Sequence, residues 1–344
     1  MKIQLLIAVS DSSYAEHLSN NIAENYADVI DSNVCTEAEH LREQLAVRSF
    51  DAALLDESII ESLSLESIRL PILLWESGES TSSASAGIGR IRKYQRISEM
   101  VSIILEQYAK ILSDERGPNM KRANITAVWS PMGGVGKTTT ALALCMEKAL
   151  EGKQALYLDL EPFSSVSNYF ADNGRGMSAV FEMLETGEGN IEILARSLRM
   201  QDGGSDIAYF CSPENFDDMN ILTPENTAVL IEACSGVTEE LVIDMSCICD
   251  ERARRIFELA DRVLLVTDSS RTAQIKFAQF ASQNSVFPRI KSKTTLVANK
   301  GAIIGDPLVD TVIYLPAVQS ADAIAVYKTL SNYIAHDART HRSS

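Results

Sequence analysis

The stretch WSPMGGVGKTTTALA at 129–143 constrains this chain more than any other. A strand-like apolar run, ITAVWS (125–130), leads into it, and a helix-like run, TTTALALCMEKALEG, leads out of it. Gly133, Gly134 and Gly136 let the backbone curl so that its N–H groups turn inward, and the helix that follows adds its N-terminal partial positive charge. An anionic ligand, above all a phosphate, suits that arrangement. The ending G-K-[ST] supplies an ammonium, Lys137, for β- and γ-phosphates and a hydroxyl, Thr138, for Mg²⁺. The first glycine of G-x-x-x-x-G-K-[ST] is missing, because proline occupies position 131. Strand, glycine turn and helix in this order demand a parallel α/β sheet with its ligand at the strand ends.

The alternation continues on both sides of this element. Downstream, QALYLDL (154–160), DIAYFCS (206–212), ELVIDMS (240–246), RVLLVTD (262–268) and TTLVANK (294–300) read as strands. Residues 165–200 read as mainly helical, and a last helix covers about 320–335. Upstream, IQLLIAV (3–9), a weak strand near 29–34, FDAALLD (50–56) and LPILLW (70–75) alternate with helical stretches. Ser12 or Ser13 is placed to cap the first of these helices, a second spans about 36–48, and SEMVSIILEQYAKIL (98–112) closes the segment. The Ser/Gly-rich 76–87 reads as a mobile loop, and SDERGPNMKRAN (113–124) as a linker. A length of 344 residues accommodates two domains. The expected division is 1–112, linker 113–124, and 125–344, the first a doubly wound α/β domain and the second a larger α/β domain built around the phosphate loop.

Composition removes several function classes. The net charge of −16 opposes sequence-independent binding to nucleic acid. His17, His40, His336 and His341 are the only histidines, so neither a histidine metal centre nor Ser-His-Asp chemistry can lie within 41–335. Six cysteines without framework spacing suit a reducing compartment, and no apolar run is long enough to span a bilayer, so a cytoplasmic protein is expected. Cys247 and Cys249 lack the further ligands that zinc requires and read as buried thiols. In DERARR (250–255), Asp250 with Arg254 and Glu251 with Arg255 have i,i+4 spacing, which suits a solvated helix face; a phosphate-sensing arginine is the alternative. The C-terminal helix carries an ordinary core-facing stripe of Ile324, Tyr327, Leu330 and Ile334, and its tail HDARTHRSS is not a basic amphipathic membrane anchor.

GGVGKTTTALAL resembles the deviant phosphate loop of the MinD/ParA class of P-loop ATPases. LYLDLEPF (156–163) resembles that class's D-x-D strand, LVIDMS (241–246) its Walker B strand, and LVANK (296–300) the strand whose Asn contacts adenine. The resemblance implies ATP and Mg²⁺ as cofactors and a homodimer. It implies a nucleotide contact surface of Gly133, Gly134, Val135, Gly136, Lys137, Thr138, Thr139 and Asn299. Thr138 and Asp244 would hold the metal, and Lys137, Asp159 and Glu161 would serve catalysis. Two departures stand out: Met132 occupies the position of the class's signature lysine, and Glu161 that of its second Asp.

The layout of an N-terminal receiver-like domain joined to such an ATPase is similar to that of the TadZ/CpaE pilus-assembly proteins, as is the approach to Walker B over 211–246. Asp56 stands where a receiver carries its phosphorylated aspartate. Asp11, however, has no acidic neighbour for Mg²⁺, the fourth strand runs into Trp75 and Glu76, and Lys93 precedes Tyr94 rather than proline. A degenerate receiver is the expectation. The resemblance implies a switch that dimerises on ATP, hydrolyses it slowly or not at all, and localises tight-adherence pilus machinery at a cell pole. Pilus components would be contacted through the N-terminal domain, with neither nucleic acid nor a direct membrane anchor involved. The alternatives are a ParA-type partition ATPase, a non-hydrolysing ATP-bound scaffold and a phosphorylated response regulator.

Overall fold

The computed structural model describes residues 2–27, 29–60, 65–76, 88–115, 122–172, 176–187, 190–213, 215–305 and 307–340. Nearly all of the loop expected at 76–87, and the middle of the linker expected at 113–124, lie outside the described residues. The chain forms two compact units. One comprises residues 1–120 together with 188–198, the other 121–187 together with 199–344.

The first unit is built on β1 (Ile3–Ala8), β2 (Ile30–Cys35), β3 (Phe50–Asp56), β4 (Ile68–Trp75) and β5 (Gly89–Arg92). All pair in parallel in the order β2-β1-β3-β4-β5, a doubly wound arrangement with its crevice between β1 and β3. β1 and β3 are almost continuous apolar runs because central strands of a parallel sheet are covered on both faces. The helix Ser12–Asn25 starts one residue earlier than the serines suggested: Asp11 is the cap, its carboxylate accepting the Tyr14 N–H at 3.1 Å. β5 was not anticipated, since its sequence GRIR holds one buried apolar residue, Ile91.

The second unit contains β6 (Asn124–Trp129), β7 (Ala155–Leu160), β8 (Met200–Gln201), β9 (Ala208–Tyr209), β10 (Glu240–Met245), β11 (Arg262–Thr267), β12 (Thr294–Ala298) and β13 (Thr311–Tyr314). Their order is β13-β12-β11-β6-β10-β7-β9-β8, parallel except for β8 against β9. From β6 the chain goes outward to β7, returns to β10 between them, and then passes β6 to reach β11. The winding reverses at β6, and in open α/β sheets that is where ligands bind. The register sets Asp244 of β10 beside Asp159 of β7 and Val128 of β6, so two carboxylates share one sheet face at the strand ends.

The helix Lys137–Leu150 covers one face and packs against the C-terminal helix Ala323–Thr340, whose Tyr327, Leu330 and Ile334 are buried in the main core. The strand expected at 206–212 contracts to the two residues of β9, which pair with Leu156 and Tyr157, and Cys211 adds an isolated parallel bridge to Gly176. The helical stretch expected at 165–200 divides into a 3₁₀ turn, Val166–Asn168, and helices Ser178–Thr186 and Ile191–Leu198, the last falling with the first unit. β13, an edge strand with only Ile313 buried, was not anticipated either.

Candidate functional site

The loop between β6 and the helix Lys137–Leu150 is pinned by Val135, which is fully buried, while Gly133 and Gly134 are exposed. Gly134 and Gly136 take φ of 77° and 92°, the left-handed region open to glycine. Gly136 caps the helix without a side-chain hydrogen bond, so the loop's own backbone forms the helix entrance. Its carbonyl accepts from the hydroxyls of Thr139 (3.0 Å) and Thr140 (2.7 Å), which fixes the first turn. A cleft of about 430 Å³ opens here, lined among others by Gly133, Gly134, Lys137, Thr138, Glu161 and Tyr169.

Lys137 is buried, and its ammonium lies 3.3 Å from Glu161 Oε1. Around this pair Asp159, Glu161 and Asp244 bring carboxylate oxygens within 4.8 Å of one another. Asp159 is well satisfied: Oδ1 accepts the Glu161 N–H at 2.9 Å and Oδ2 the Ser164 hydroxyl at 2.8 Å. Asp244, wholly buried, accepts from the Tyr157 hydroxyl at 2.9 Å through Oδ2. Its Oδ1 has no partner of hydrogen-bond geometry, although the Thr138 hydroxyl faces the carboxylate closely enough to favour its charge.

Burial raises the pKa of Asp244, and the negative charge of Asp159 and Glu161 raises it further. Burial likewise raises Asp159, with Glu161 adding to it and its hydrogen bonds opposing. Three crowded carboxylates, one with an orphaned buried oxygen, form a hard-oxygen donor set that a divalent cation such as Mg²⁺ would relieve. The residues fit that ion.

Asn299, expected at the adenine, is buried behind the loop. Its Nδ2 donates to the Val135 carbonyl at 2.8 Å, and its Oδ1 accepts the Lys300 N–H at 2.8 Å. Met132 packs partly buried against the core, its N–H donating to Ser130 Oγ at 3.2 Å. Tyr157, Ser164 and Lys300 join the constellation although sequence reading did not single them out. Only Lys300 carried a signal, as the residue next to Asn299.

Cys247 and Cys249 are free thiols but not the buried ones expected, since Cys247 is exposed and Cys249 half-buried just beyond the end of β10; among the described residues no further metal-ligating side chain groups with them. The i,i+4 pairs expected in 250–255 are replaced. Asp250 caps the helix Glu251–Leu259 through the Ala253 N–H at 2.8 Å, and Arg255 pairs with Glu258 at 3.0 Å.

In the first unit, Asp56 ends β3 buried. The Ser10 N–H and hydroxyl both donate to its Oδ2 at 2.8 Å, and Lys93 lies 3.5 Å from Oδ1. Burial pulls the Lys93 pKa down, but its hydrogen bond to Glu76 and the charge of Asp56 outweigh this and raise it. Asp11 is spent on its helix cap, so Asp56 faces a serine and a lysine rather than an acidic pair.

Among solved structures the chain is similar to a ParA family ATPase from Chlorobium tepidum TLS, with 18% identity over 62% of this chain and 96% of that one and a TM-score of 0.52, a likeness of fold. Looser similarity extends to the septum site-determining protein MinD of Pyrococcus horikoshii OT3 complexed with Mg-ADP (14% identity, 62% and 96% covered, TM-score 0.47). A plasmid partition protein of Borrelia burgdorferi B31 bound to AMPPNP gives 14% identity, 64% and 99% covered, and a TM-score of 0.48. No curated protein matches the chain. Residues 126–321 match the CobQ/CobB/MinD/ParA nucleotide binding domain, and this stretch runs from β6 through β13 and holds every residue of the phosphate loop and acidic cluster. The chain therefore belongs to the CobQ/CobB/MinD/ParA nucleotide-binding family.

Proposed function

We propose that the chain is an ATP- and Mg²⁺-dependent dimerisation switch with slow or absent hydrolysis. The observation that carries this reading is the convergence of Lys137, Thr138, Asp159, Glu161 and Asp244 beneath one glycine loop. Lys137 would exchange Glu161 for the β- and γ-phosphates, because a dianionic or trianionic partner outcompetes one carboxylate. Thr138 and Asp244 would hold the metal, which neutralises charge on the phosphates. Glu161, released from Lys137, or Asp159 would orient the attacking water. Gly133, Gly134, Val135, Gly136 and Thr139 would wrap the phosphates, and the second N–H of the Asn299 amide remains for the base. Met132 offers no cation to a partner's phosphates, and loss of such a cation typically lowers turnover by roughly 10³–10⁵.

The finer reading is a role of the TadZ/CpaE kind, localising pilus-assembly components at a cell pole from the cytoplasm. Its support is the layout of a receiver-like domain (1–112) joined by a linker (113–124) to the ATPase domain (125–344), together with methionine at position 132. The Asp56–Lys93 pair at the end of a parallel sheet in the order 2-1-3-4-5 supports a receiver-like ancestry, and Ser10 in place of an acid supports its degeneracy. A ParA-type partition role is disfavoured by the net charge of −16. Light-scattering mass with and without ATP–Mg²⁺, with phosphate release followed on the same samples, tests the switch. A mass that ATP leaves unchanged, or rapid phosphate release, would contradict it.

A further inference from the structure

Two consecutive carbonyls of the phosphate loop are held from behind. Lys300 Nζ donates to Gly134 O at 2.6 Å and lies 3.5 Å from Asp268 Oδ2; Asn299 Nδ2 donates to Val135 O at 2.8 Å. Both side chains come from the turn that ends β12. Lys300 itself has a left-handed φ of 56° and Gly301 one of 72°, and the turn is closed by Gly301 N–H to Leu315 O (2.9 Å) and Ala302 N–H to Asn299 O (3.1 Å). A lysine held in that conformation by surrounding bonds is a constraint the fold maintains against a local preference.

We infer that Lys300 is a positioning residue for phosphate binding, acting through the loop backbone; the inference rests on the nucleotide-binding reading above. A trans peptide is planar, so its C=O and the following N–H point in opposite directions. Fixing the carbonyls of Gly134 and Val135 toward Lys300 and Asn299 turns the N–H groups of Val135 and Gly136 to the opposite side of the loop, the side where phosphate oxygens would sit; of the two residues, Gly136 lines the cleft. Without Lys300 the exposed Gly134 peptide, flanked by glycine on one side, is free to rotate, and the ligand must then order it on binding. Asp268 holds the ammonium at the correct height, and the half-exposed Lys300 stem contributes little to the core.

The test measures binding of ATP–Mg²⁺ and of inorganic tripolyphosphate–Mg²⁺ to the full chain, unmodified and as Lys300→Met and Lys300→Arg, by calorimetry. Lys300→Met is expected to weaken both ligands about tenfold or more with little change in urea midpoint, and Lys300→Arg to recover most of the loss. Should Lys300→Met not fold, Lys300→Gln carries the same expectation. Equal affinities in the variant, or a loss confined to ATP with tripolyphosphate unaffected, would overturn the inference, the second outcome making Lys300 a contact to the nucleoside. An unmodified chain that binds neither ligand would instead overturn the nucleotide-binding reading itself.

Discussion

Alanine at position 136 should destabilise the second unit by dislodging the side chain that holds the phosphate loop. Gly136 has φ of +92°, and a Cβ built there meets Asn299 Nδ2 at 2.3 Å and Thr139 Oγ1 at 3.0 Å. The left-handed conformation costs an alanine about 1–2 kcal/mol. Relieving the clash also requires Asn299 to swing away, which strands its buried amide and the Val135 carbonyl at about 1–3 kcal/mol. The sum is about 2–5 kcal/mol. Gly152 is the control: its φ is +79°, but a Cβ there meets nothing within 4 Å, so only the backbone cost applies, about 1 kcal/mol once the stiffer unfolded chain is counted. Trp129 ends β6, buried, so urea unfolding followed by its fluorescence in a Trp75→Phe background reports this unit alone. The backbone cost is common to both variants, so with m near 3 kcal/mol/M they should differ in midpoint by the Asn299 contribution alone, about 0.3–1 M. Coincident midpoints would refute the argument that Asn299 buttresses the loop.

Lys137→Ala should weaken ATP binding by about 1.5–3 kcal/mol, roughly ten- to a hundredfold, since the phosphates lose a charge-assisted donor; calorimetry giving unchanged affinity would remove the phosphate assignment. Met132→Lys should raise phosphate release if slow turnover stems from the missing cation, and an unmodified protein already as fast as lysine-bearing relatives in the same assay argues against that cause. Burial raises the Asp268 pKa, but hydrogen bonds from Ser270 and the charge of Lys300 outweigh it and leave the group below the ordinary carboxylate value. Its stabilisation is therefore complete above the unfolded pKa near 3.9 and is lost as pH falls through the lower folded value. The gap in urea midpoint between the unmodified chain and Asp268→Asn should accordingly shrink between pH 5 and pH 3, and a pH-independent gap would contradict the sign. Asp56 should not gain a phosphoryl group from small phosphodonors in Mg²⁺, because Ser10 supplies no metal ligand; an intact-mass increase abolished in Asp56→Asn would overturn this.

The phosphate loop was legible because its chemistry is local: eight consecutive residues fix its glycines, its lysine and the helix that follows. Asp159 and Asp244 were legible through the resemblance of LYLDLEPF and LVIDMS to the D-x-D and Walker B strands of the MinD/ParA class. Tyr157 was not, because its hydroxyl acquires meaning only through a strand register that brings it to a residue 87 positions away. Lys300 was not legible either, because its purpose depends on a left-handed turn that sequence periodicity does not encode. β5 and β13 escaped for a plainer reason. Edge strands bury one face or less, so GRIR and TVIY carry too little apolar signal to stand out from loops.

The central place of β6 has a consequence for biosynthesis. Its neighbours on either side are β10 and β11, and contacts such as Asn124 to Glu240 and Ile125 to Asp261 span 116 and 136 positions of sequence. When β6 leaves the ribosome, neither partner strand has been translated, and its apolar edges stay open until β11 emerges. At ordinary elongation rates that delay is roughly ten to thirty seconds, during which the segment most critical to nucleotide chemistry is also the one most exposed to misassociation. A nucleotide cannot shorten this interval, since the loop that would grip it has no fixed backbone before β10, β11 and β12 arrive. Truncated chains ending before residue 267 should therefore partition to aggregates or chaperones, which makes the order of translation a determinant of yield for this fold.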